Sequence, residues 1–198
     1  MYIIGMTGGI ACGKSAIAEI LRRRTGAMKL DIDKVTRWLL EPGGVLFDIY
    51  VRHFGDKIIT SEGELDRRLI GEIIFKNPAE RKWINSVAHP ILLNCARDFL
   101  VECSQIGAGL VILEVPLLFE AGWEDLFDEI WAVYTKRRFQ RDRLMVRDGL
   151  TKKQALARMN AQMSREKICA RADVVIRNIG KRSEIRQQVF NALRGRTF

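Results

Sequence analysis

The glycine-rich segment GGIACGKS, from Gly8 to Ser15, constrains the possible folds of this chain more than any other feature. It has the spacing G-x-x-x-x-G-K-[S/T] of a phosphate-binding loop. An apolar run, YIIGMT, precedes it, and a pattern of helical period, GKSAIAEILRRR, follows. Gly8 and Gly13 allow the loop to turn around a phosphate, Lys14 can reach the β- and γ-phosphates, and the Ser15 hydroxyl can ligate Mg²⁺. The strand, loop and helix together predict a nucleotide-binding α/β fold.

Further apolar runs alternate with helical patterns along the chain. GLVILEV is typical of a buried strand. MKLDID, which ends on acids, EIWAVY and DVVIRN are also typical of strands, and SEIRQQVFNALRG is typical of a closing helix. The pattern predicts a three-layer α/β domain whose parallel sheet of about five strands is covered on both faces.

Two helix-rich stretches, about 45–105 and 136–171, interrupt this alternation. Insertions of this kind are typical of a substrate-binding subdomain and a mobile lid. Within the first stretch, His89-Pro90 is expected to interrupt the helix, and a lone histidine is more often structural than catalytic.

Three acidic residues follow predicted strands and are candidates for chemistry. Asp31 and Asp33 are placed at the end of one strand, where a spacing of two would point both side chains the same way. One of them could accept the proton of a hydroxyl acceptor, although Asp33 could equally be a helix N-cap. Glu114 ends an apolar strand, where an acid is costly unless it is paired, so we expect it to face the Mg²⁺ shell.

The net charge of +9 and the arginines of the second helical stretch have several interpretations. A solvated basic face is the usual one, a nucleic-acid surface is another, and a lid whose arginines close on ATP is the third. Because a phosphate loop is present and Phe139 is the only aromatic residue interleaved with these arginines, the lid is favoured and no nucleic-acid partner is expected.

The cysteines and the apolar segments indicate the cellular compartment of the protein. Four cysteines without paired spacing indicate reduced thiols, and no segment approaches the roughly 18 apolar residues of a membrane span. We therefore expect a cytoplasmic protein without a membrane anchor. A monomer is the favoured oligomeric state, and the sequence leaves an oligomer open. Cys12 could be a thiol activated by the helix N-terminus, but a small residue that simply fits the loop is favoured.

Five segments, in order, resemble the dephospho-CoA kinase family. They are GMTGGIACGKS, LDIDKVTRWLLEPGG, LDRRLIGEIIFKNPAERKWINSVAHPIL, VPLLFEAGW and RDGLTKKQALARMNAQMSREKICARADVVIRNIG. The resemblance implies an adenylate-kinase-like fold with a CoA-binding insertion and a lid. It also implies Mg²⁺-dependent transfer of the γ-phosphate of ATP to the ribose 3′-hydroxyl of dephospho-coenzyme A.

The resemblance also implies roles for particular residues. Asp33 matches the general-base position of the D-x-D motif and, with Lys14 and Arg143, would be catalytic. The expected ATP-binding residues are Gly8, Gly9, Ile10, Ala11, Cys12, Gly13, Lys14, Ser15, Ala16, Arg143 and Arg147. The expected acceptor-binding residues are Asp31, Asp33, Arg67, His89 and Leu117, and the expected metal ligands are Ser15 and Glu114, the latter through water. Cys12, Ala16 and Glu114 stand where serine, threonine and aspartate are common in the family.

Two rival functions remain at this point. A nucleoside monophosphate kinase would share the loop and lid but leaves EPGG, PLLFE and the D-x-D pair unexplained. A basic nucleic-acid-binding protein with a regulatory nucleotide site would bind DNA or RNA with steep salt dependence, and the 24 acidic residues in the chain speak against it.

Overall fold

Five short strands form one sheet in which every neighbouring pair is parallel. The computed structural model describes residues 1–196 and 198. The strands are β1 (Tyr2–Thr7), β2 (Met28–Asp31), β3 (Leu110–Glu114), β4 (Glu129–Tyr134) and β5 (Val174–Arg177), in the spatial order β2-β3-β1-β4-β5. All five residues of β3 are buried, as a strand covered on both faces requires. The predicted α/β class and parallel sheet are confirmed.

The helices fill the intervals between these strands. They are α1 (Lys14–Thr25), α2 (Ile32–Leu39), α3 (Val45–Phe54), α4 (Arg67–Lys76), α5 (Pro78–Gln105), α6 (Leu118–Ala121), α7 (Arg137–Asp148), α8 (Lys152–Asn160), α9 (Arg165–Arg171) and α10 (Arg182–Leu193). Single 3-10 turns occupy Asp56–Ile58 and Glu124–Leu126.

The chain divides into two compact units. The first, Met1–Asp31 with Phe99–Phe198, contains the whole sheet, and the second, Ile32–Asp98, is helical. The core of the first unit joins β1, α1, β4 and α10 through the side chains of Ile4, Met6, Ile17, Leu21, Trp131, Ile185 and Val189. The CoA-binding role of the insertion and the mobility of the lid segment (residues 136–171) stay predictions.

The predicted placement of Asp33 on a strand is wrong. Strand β2 ends at Asp31, which lies opposite Glu114 in the register, and helix α2 begins at the next residue without a loop. Asp33 is therefore the second residue of a helix, and the alternation that would align it with Asp31 does not apply. A carboxylate in this first turn interacts favourably with the helix dipole.

The helical stretches also differ from expectation in detail. Helix α5 runs through Pro90 without a break, because one missing N–H removes a single hydrogen bond from a helix of 28 residues. The basic stretch, whose internal ends the sequence did not predict, consists of three helices. Gly149, with a φ of 64°, ends α7, and Thr151 starts α8 with a reciprocal capping box to Gln154. Ser164 caps α9.

We expect Gly5→Ala to destabilise the protein, because a Cβ atom at this position in central strand β1 would lie 2.7 Å from Cγ of Phe127. Overpacking of this kind costs about 2 kcal/mol of unfolding free energy. Urea denaturation of Gly5→Ala, Phe127→Leu and the double variant measures the effect. A double variant that loses less than the sum of the single losses identifies the contact, whereas a Gly5→Ala protein as stable as the wild type contradicts it.

Candidate active site

The phosphate loop connects the carboxyl end of β1 to the first residue of α1. Gly8 has a φ of 141° and Gly13 a φ of 95°, values that side chains disfavour. Space is restricted as well, since a Cβ atom at Gly13 would lie 2.2 Å from Asn178 Nδ2. Both glycines of the motif are therefore required by the geometry of the loop.

Side chains from distant elements hold the carbonyl groups of this loop. The guanidinium of Arg143, on α7, donates to the carbonyl oxygens of Ala11 and Cys12 at 3.2 and 3.3 Å. The amide of Asn178 donates to the Cys12 oxygen at 2.7 Å. Because C=O and N–H point in opposite directions across a trans peptide, a held Cys12 carbonyl turns the Gly13 N–H the other way. The loop is thereby preset to present amides to an anion.

Helix α1 adds its own donors to this arrangement. The first N–H groups of a helix have no acceptor within the helix, and here they belong to Lys14, Ser15 and Ala16. Ser15 and Ala16 are exposed, and the ammonium of Lys14 reaches back over the loop to donate to the Gly8 carbonyl at 2.9 Å. The predicted ATP-binding residues 8–16 thus form one continuous loop and helix start.

Asn178, which sequence reasoning missed, is fixed by the end of β4. Its carbonyl accepts from the Thr135 hydroxyl at 2.7 Å, and its backbone N–H donates to the Tyr134 carbonyl at 2.7 Å. Thr135 is 1% exposed. Strand β4 therefore positions the amide that holds the phosphate loop.

Glu114 is the buried carboxylate of the site, with a residue exposure of 1%. Its Oε1 accepts from the Lys29 ammonium of the neighbouring strand β2 at 2.9 Å. Lys29 was not among the predicted residues, although a lysine within a strand of a covered sheet signals a buried partner. The pair offsets the cost of burying the carboxylate.

Ser15 and Glu114 are suited to Mg²⁺ to different degrees. Hydroxyl and carboxylate oxygens are the hard donors that this ion prefers. Ser15 is exposed at the start of α1, whereas the charge of Glu114 is already compensated by Lys29. The donor set fits the ion, with Ser15 as the better direct ligand and Glu114 suited to contact through water.

The two predicted lid arginines have different neighbours. Arg143 contacts the loop as described, whereas Arg147 pairs with Asp148 at 2.7 Å. Asp148 also pairs with Arg158 of α8 at 3.0 Å, so this cluster ties the end of α7 to α8. The ATP-binding role of Arg147 stays a prediction.

The remaining predicted residues lie in several elements. In the helical unit, Asp33 is exposed, and His89 is half-buried within α5. Arg67 opens α4, donates to the Arg37 carbonyl at 3.4 Å, and borders a cavity of about 310 Å³. The other residues that line the cavity are Leu40, Glu41, Pro42, Glu64 and Leu65.

In the sheet unit, Leu117 is half-buried just before α6, and Asp31 is half-buried at the end of β2.

Known proteins resemble this chain over nearly its whole length. The sequence profile of the family described as dephospho-CoA kinase matches residues 2–184. The chain belongs to the dephospho-CoA kinase family. A curated dephospho-CoA kinase of Carboxydothermus hydrogenoformans is 40% identical over 96% of this chain and 92% of its own length.

Solved structures share the fold of this member of the dephospho-CoA kinase family. A crystal structure from Thermus thermophilus is 32% identical and superimposes with a TM-score of 0.79, covering 97% of this chain and 95% of the other. The dephospho-CoA kinase of Campylobacter jejuni is 27% identical, with a TM-score of 0.67 and coverage of 96% and 94%. The predicted P-loop kinase fold is confirmed. Across residues 1–196 and 198, no helix has the length and apolar character to cross a membrane.

Cys12, inside the phosphate loop of this family member, is 1% exposed and belongs to the core around β1 and α1. Burial raises the pKa of its thiol above the ordinary value, and the positive charge of Lys14 only partly opposes this. The thiol is therefore protonated at neutral pH, which favours the interpretation of Cys12 as a small residue that fits the loop.

We expect Lys29→Met to lower the unfolding free energy by about 3 kcal/mol, because it leaves the Glu114 carboxylate buried without its cation. Thermal and urea denaturation measure the loss. Lys153→Met, at an exposed position of α8, is the matched control, and adding Glu114→Gln to Lys29→Met should recover part of the loss. Equal stability of Lys29→Met and Lys153→Met would contradict the importance of the pair.

We expect the Cys12 thiol to react slowly with iodoacetamide at pH 7.5 in the folded protein, since the raised pKa and the burial both suppress the thiolate. Peptide mass spectrometry after timed labelling measures the rate at each cysteine, and labelling in urea supplies the unrestricted rate for Cys12. A Cys12 that is alkylated equally fast with and without urea would show that the thiol is activated.

Proposed function

We propose that this chain transfers the γ-phosphate of ATP to the ribose 3′-hydroxyl of dephospho-coenzyme A, giving coenzyme A and ADP. The observation that carries the proposal is the phosphate loop from Gly8 to Ser15, whose carbonyls are held by Arg143 and Asn178. It occurs in a chain whose residues 2–184 match the dephospho-CoA kinase family. In this proposal the reaction is the final step of coenzyme A synthesis.

The nucleotide side of the reaction is assigned to the phosphate loop. Residues 8–16 bind the triphosphate through backbone amides, and the Lys14 ammonium leaves the Gly8 carbonyl to hold the β- and γ-phosphates. Arg143, already beside the loop, offsets charge on the transferring group, and Arg147 joins it when the lid segment closes. Ser15, with Glu114 through water, would hold Mg²⁺, and the ion would supply positive charge that stabilises the phosphates.

The acceptor side is assigned to residues near the acidic motif and in the helical unit. Asp33 accepts the proton of the 3′-hydroxyl as that oxygen attacks the γ-phosphorus, and ADP leaves in line with the attack. Asp33 is an exposed residue in the first turn of α2. Asp31, Arg67, His89 and Leu117 are proposed to position dephospho-coenzyme A.

We further propose that the enzyme works as a cytoplasmic monomer and needs no nucleic acid. The cysteines Cys12, Cys95, Cys103 and Cys169 are all free, which suits a reducing compartment.

A coupled ADP-release assay with ATP and Mg²⁺ tests the reaction. Parallel reactions contain dephospho-coenzyme A, AMP, or no acceptor. ADP release that requires dephospho-coenzyme A is the expected result, since a hydroxyl acceptor would use the base at Asp33. Release driven by AMP in place of dephospho-coenzyme A would instead favour a nucleoside monophosphate kinase.

We expect Asp33→Asn to lower kcat by at least about a hundredfold, the loss that follows from removing a general base, while ATP still binds. Steady-state kinetics and calorimetric ATP titration separate the two effects. Asp48→Asn is the matched control, because Asp48 is an exposed aspartate in the first turn of α3 in the same unit. A kcat of Asp33→Asn equal to that of Asp48→Asn would remove Asp33 as the base.

A further inference from the structure

Two glutamine side chains form hydrogen bonds with the backbone of one residue of the phosphate loop, Ile10. Gln140 Nε2 donates to the Ile10 carbonyl at 2.9 Å, and the Ile10 N–H donates to Gln162 Oε1 at 2.7 Å. A carbonyl can only accept and an N–H can only donate, so the orientation of each side-chain amide is determined by its backbone partner. We call this pair, Gln140 and Gln162, the glutamine clamp.

The burial of Gln140 and its close contact with Gly9 indicate that the clamp is a specific, closely packed arrangement. Gln140 is 6% exposed, so its amide group needs a hydrogen-bond partner, and the Ile10 carbonyl supplies one. A Cβ atom at Gly9 would lie 2.5 Å from Gln140 Nε2, so a side chain there would displace this amide from its present position. The phosphate-loop pattern itself leaves position 9 open, so the clamp explains a glycine that phosphate binding alone does not.

The clamp also determines where a loop amide points. Because C=O and the following N–H oppose each other in a trans peptide, holding the Ile10 carbonyl toward Gln140 turns the Ala11 N–H away from it. Asn178 and Arg143 act in the same way on the next carbonyls along the loop. The Ile10 and Ala11 side chains pack against the small core formed by Leu144, Ala155 and Met159 of α7 and α8, which brings the clamp and the loop together.

We propose that Gln140 and Gln162 are positioning residues that orient the amides of the phosphate loop, so that binding of the triphosphate of ATP depends on both. Neither residue is assigned to contact ATP. Because both lie in the lid segment, they link that segment to the loop that binds the nucleotide.

Isosteric substitutions separate this role from simple packing. Gln162→Glu keeps an oxygen that accepts the Ile10 N–H, whereas Gln140→Glu replaces the donor with a carboxylate that faces the Ile10 carbonyl. Each replaces an amide with a carboxyl group beside the same residue, and Gln162→Ala supplies a variant without added charge. A role in packing alone would affect both variants alike.

Calorimetric titration of the full-length protein with ATP and Mg²⁺, and with inorganic tripolyphosphate and Mg²⁺, measures the effect. Gln140→Glu should bind both ligands roughly tenfold more weakly than Gln162→Glu, because a buried acceptor then lacks its donor. Gln162→Ala should weaken binding about fivefold, the effect of one neutral hydrogen bond. The control is Gln187→Ala, a glutamine of α10 that bonds Asn191 and should bind both ligands as the wild type does.

Several results would overturn the proposal. These are equal affinities of the two glutamate variants, wild-type affinity in Gln162→Ala, or a loss for ATP that is absent for tripolyphosphate. Melting temperatures identify any variant that does not fold, and Gln162→Ala decides the question if Gln140→Glu is one of these. Since the measurement is binding, the predicted pattern in a protein that does not phosphorylate dephospho-coenzyme A would support the clamp and refute only the proposed function.

Discussion

The planarity of the peptide bond is the constraint on which this site depends. A loop can offer its amides to a phosphate only if its carbonyls, which point the other way, find donors elsewhere. In this chain the donors are the side chains of Gln140, Arg143 and Asn178, from α7 and from the residue after β5. The anion site is therefore made by residues more than a hundred positions away from the loop as much as by the loop itself.

The order of the sheet explains how these donors reach the loop. Strand β1 is central, with β3 on one side and β4 on the other, so the loop after β1 emerges between the ends of its neighbours. In open α/β proteins, ligands bind at the edge of the parallel sheet that is formed by the carboxyl ends of its strands. On one side, β3 ends at Glu114, which pairs with Lys29 of β2. On the other side, Tyr134 ends β4 and Thr135 follows it, and both hydrogen-bond to the backbone of Asn178. The same sheet that forms the core thus supports both flanks of the site.

Local pattern was sufficient to predict the elements of the fold. Short strand patterns, four of them largely apolar and one ending on acids, predicted the five strands, and the glycine spacing predicted the loop between β1 and α1. The sequence pattern was less informative about the residues at which helices begin and end. It missed the immediate start of α2 at Ile32, overestimated the effect of Pro90 on a long helix, and did not divide the basic stretch at Gly149 and Ser164.

The supporting residues of the site could not be predicted from the sequence in the same way. Gln140, Gln162 and Asn178 bond to the backbone of residues 10–12, and no local period marks a side chain whose partner is so distant. Lys29 is different, because a lysine inside an apolar strand is itself a signal of a buried partner. The motif thus identified the phosphate-loop segment, and the structure was needed to identify the side chains that hydrogen-bond to its backbone.

The position of the newly formed phosphate ester tests the central claim most directly. Phosphorus NMR of the product formed from ATP, Mg²⁺ and dephospho-coenzyme A, with proton–phosphorus coupling to the ribose, identifies the atom that receives the phosphate. We predict a single new monoester on the ribose 3′-oxygen, formed together with an equal amount of ADP. A phosphate on the 2′-oxygen or on the diphosphate chain, or ADP formed without any new ester, would contradict transfer to the 3′-hydroxyl.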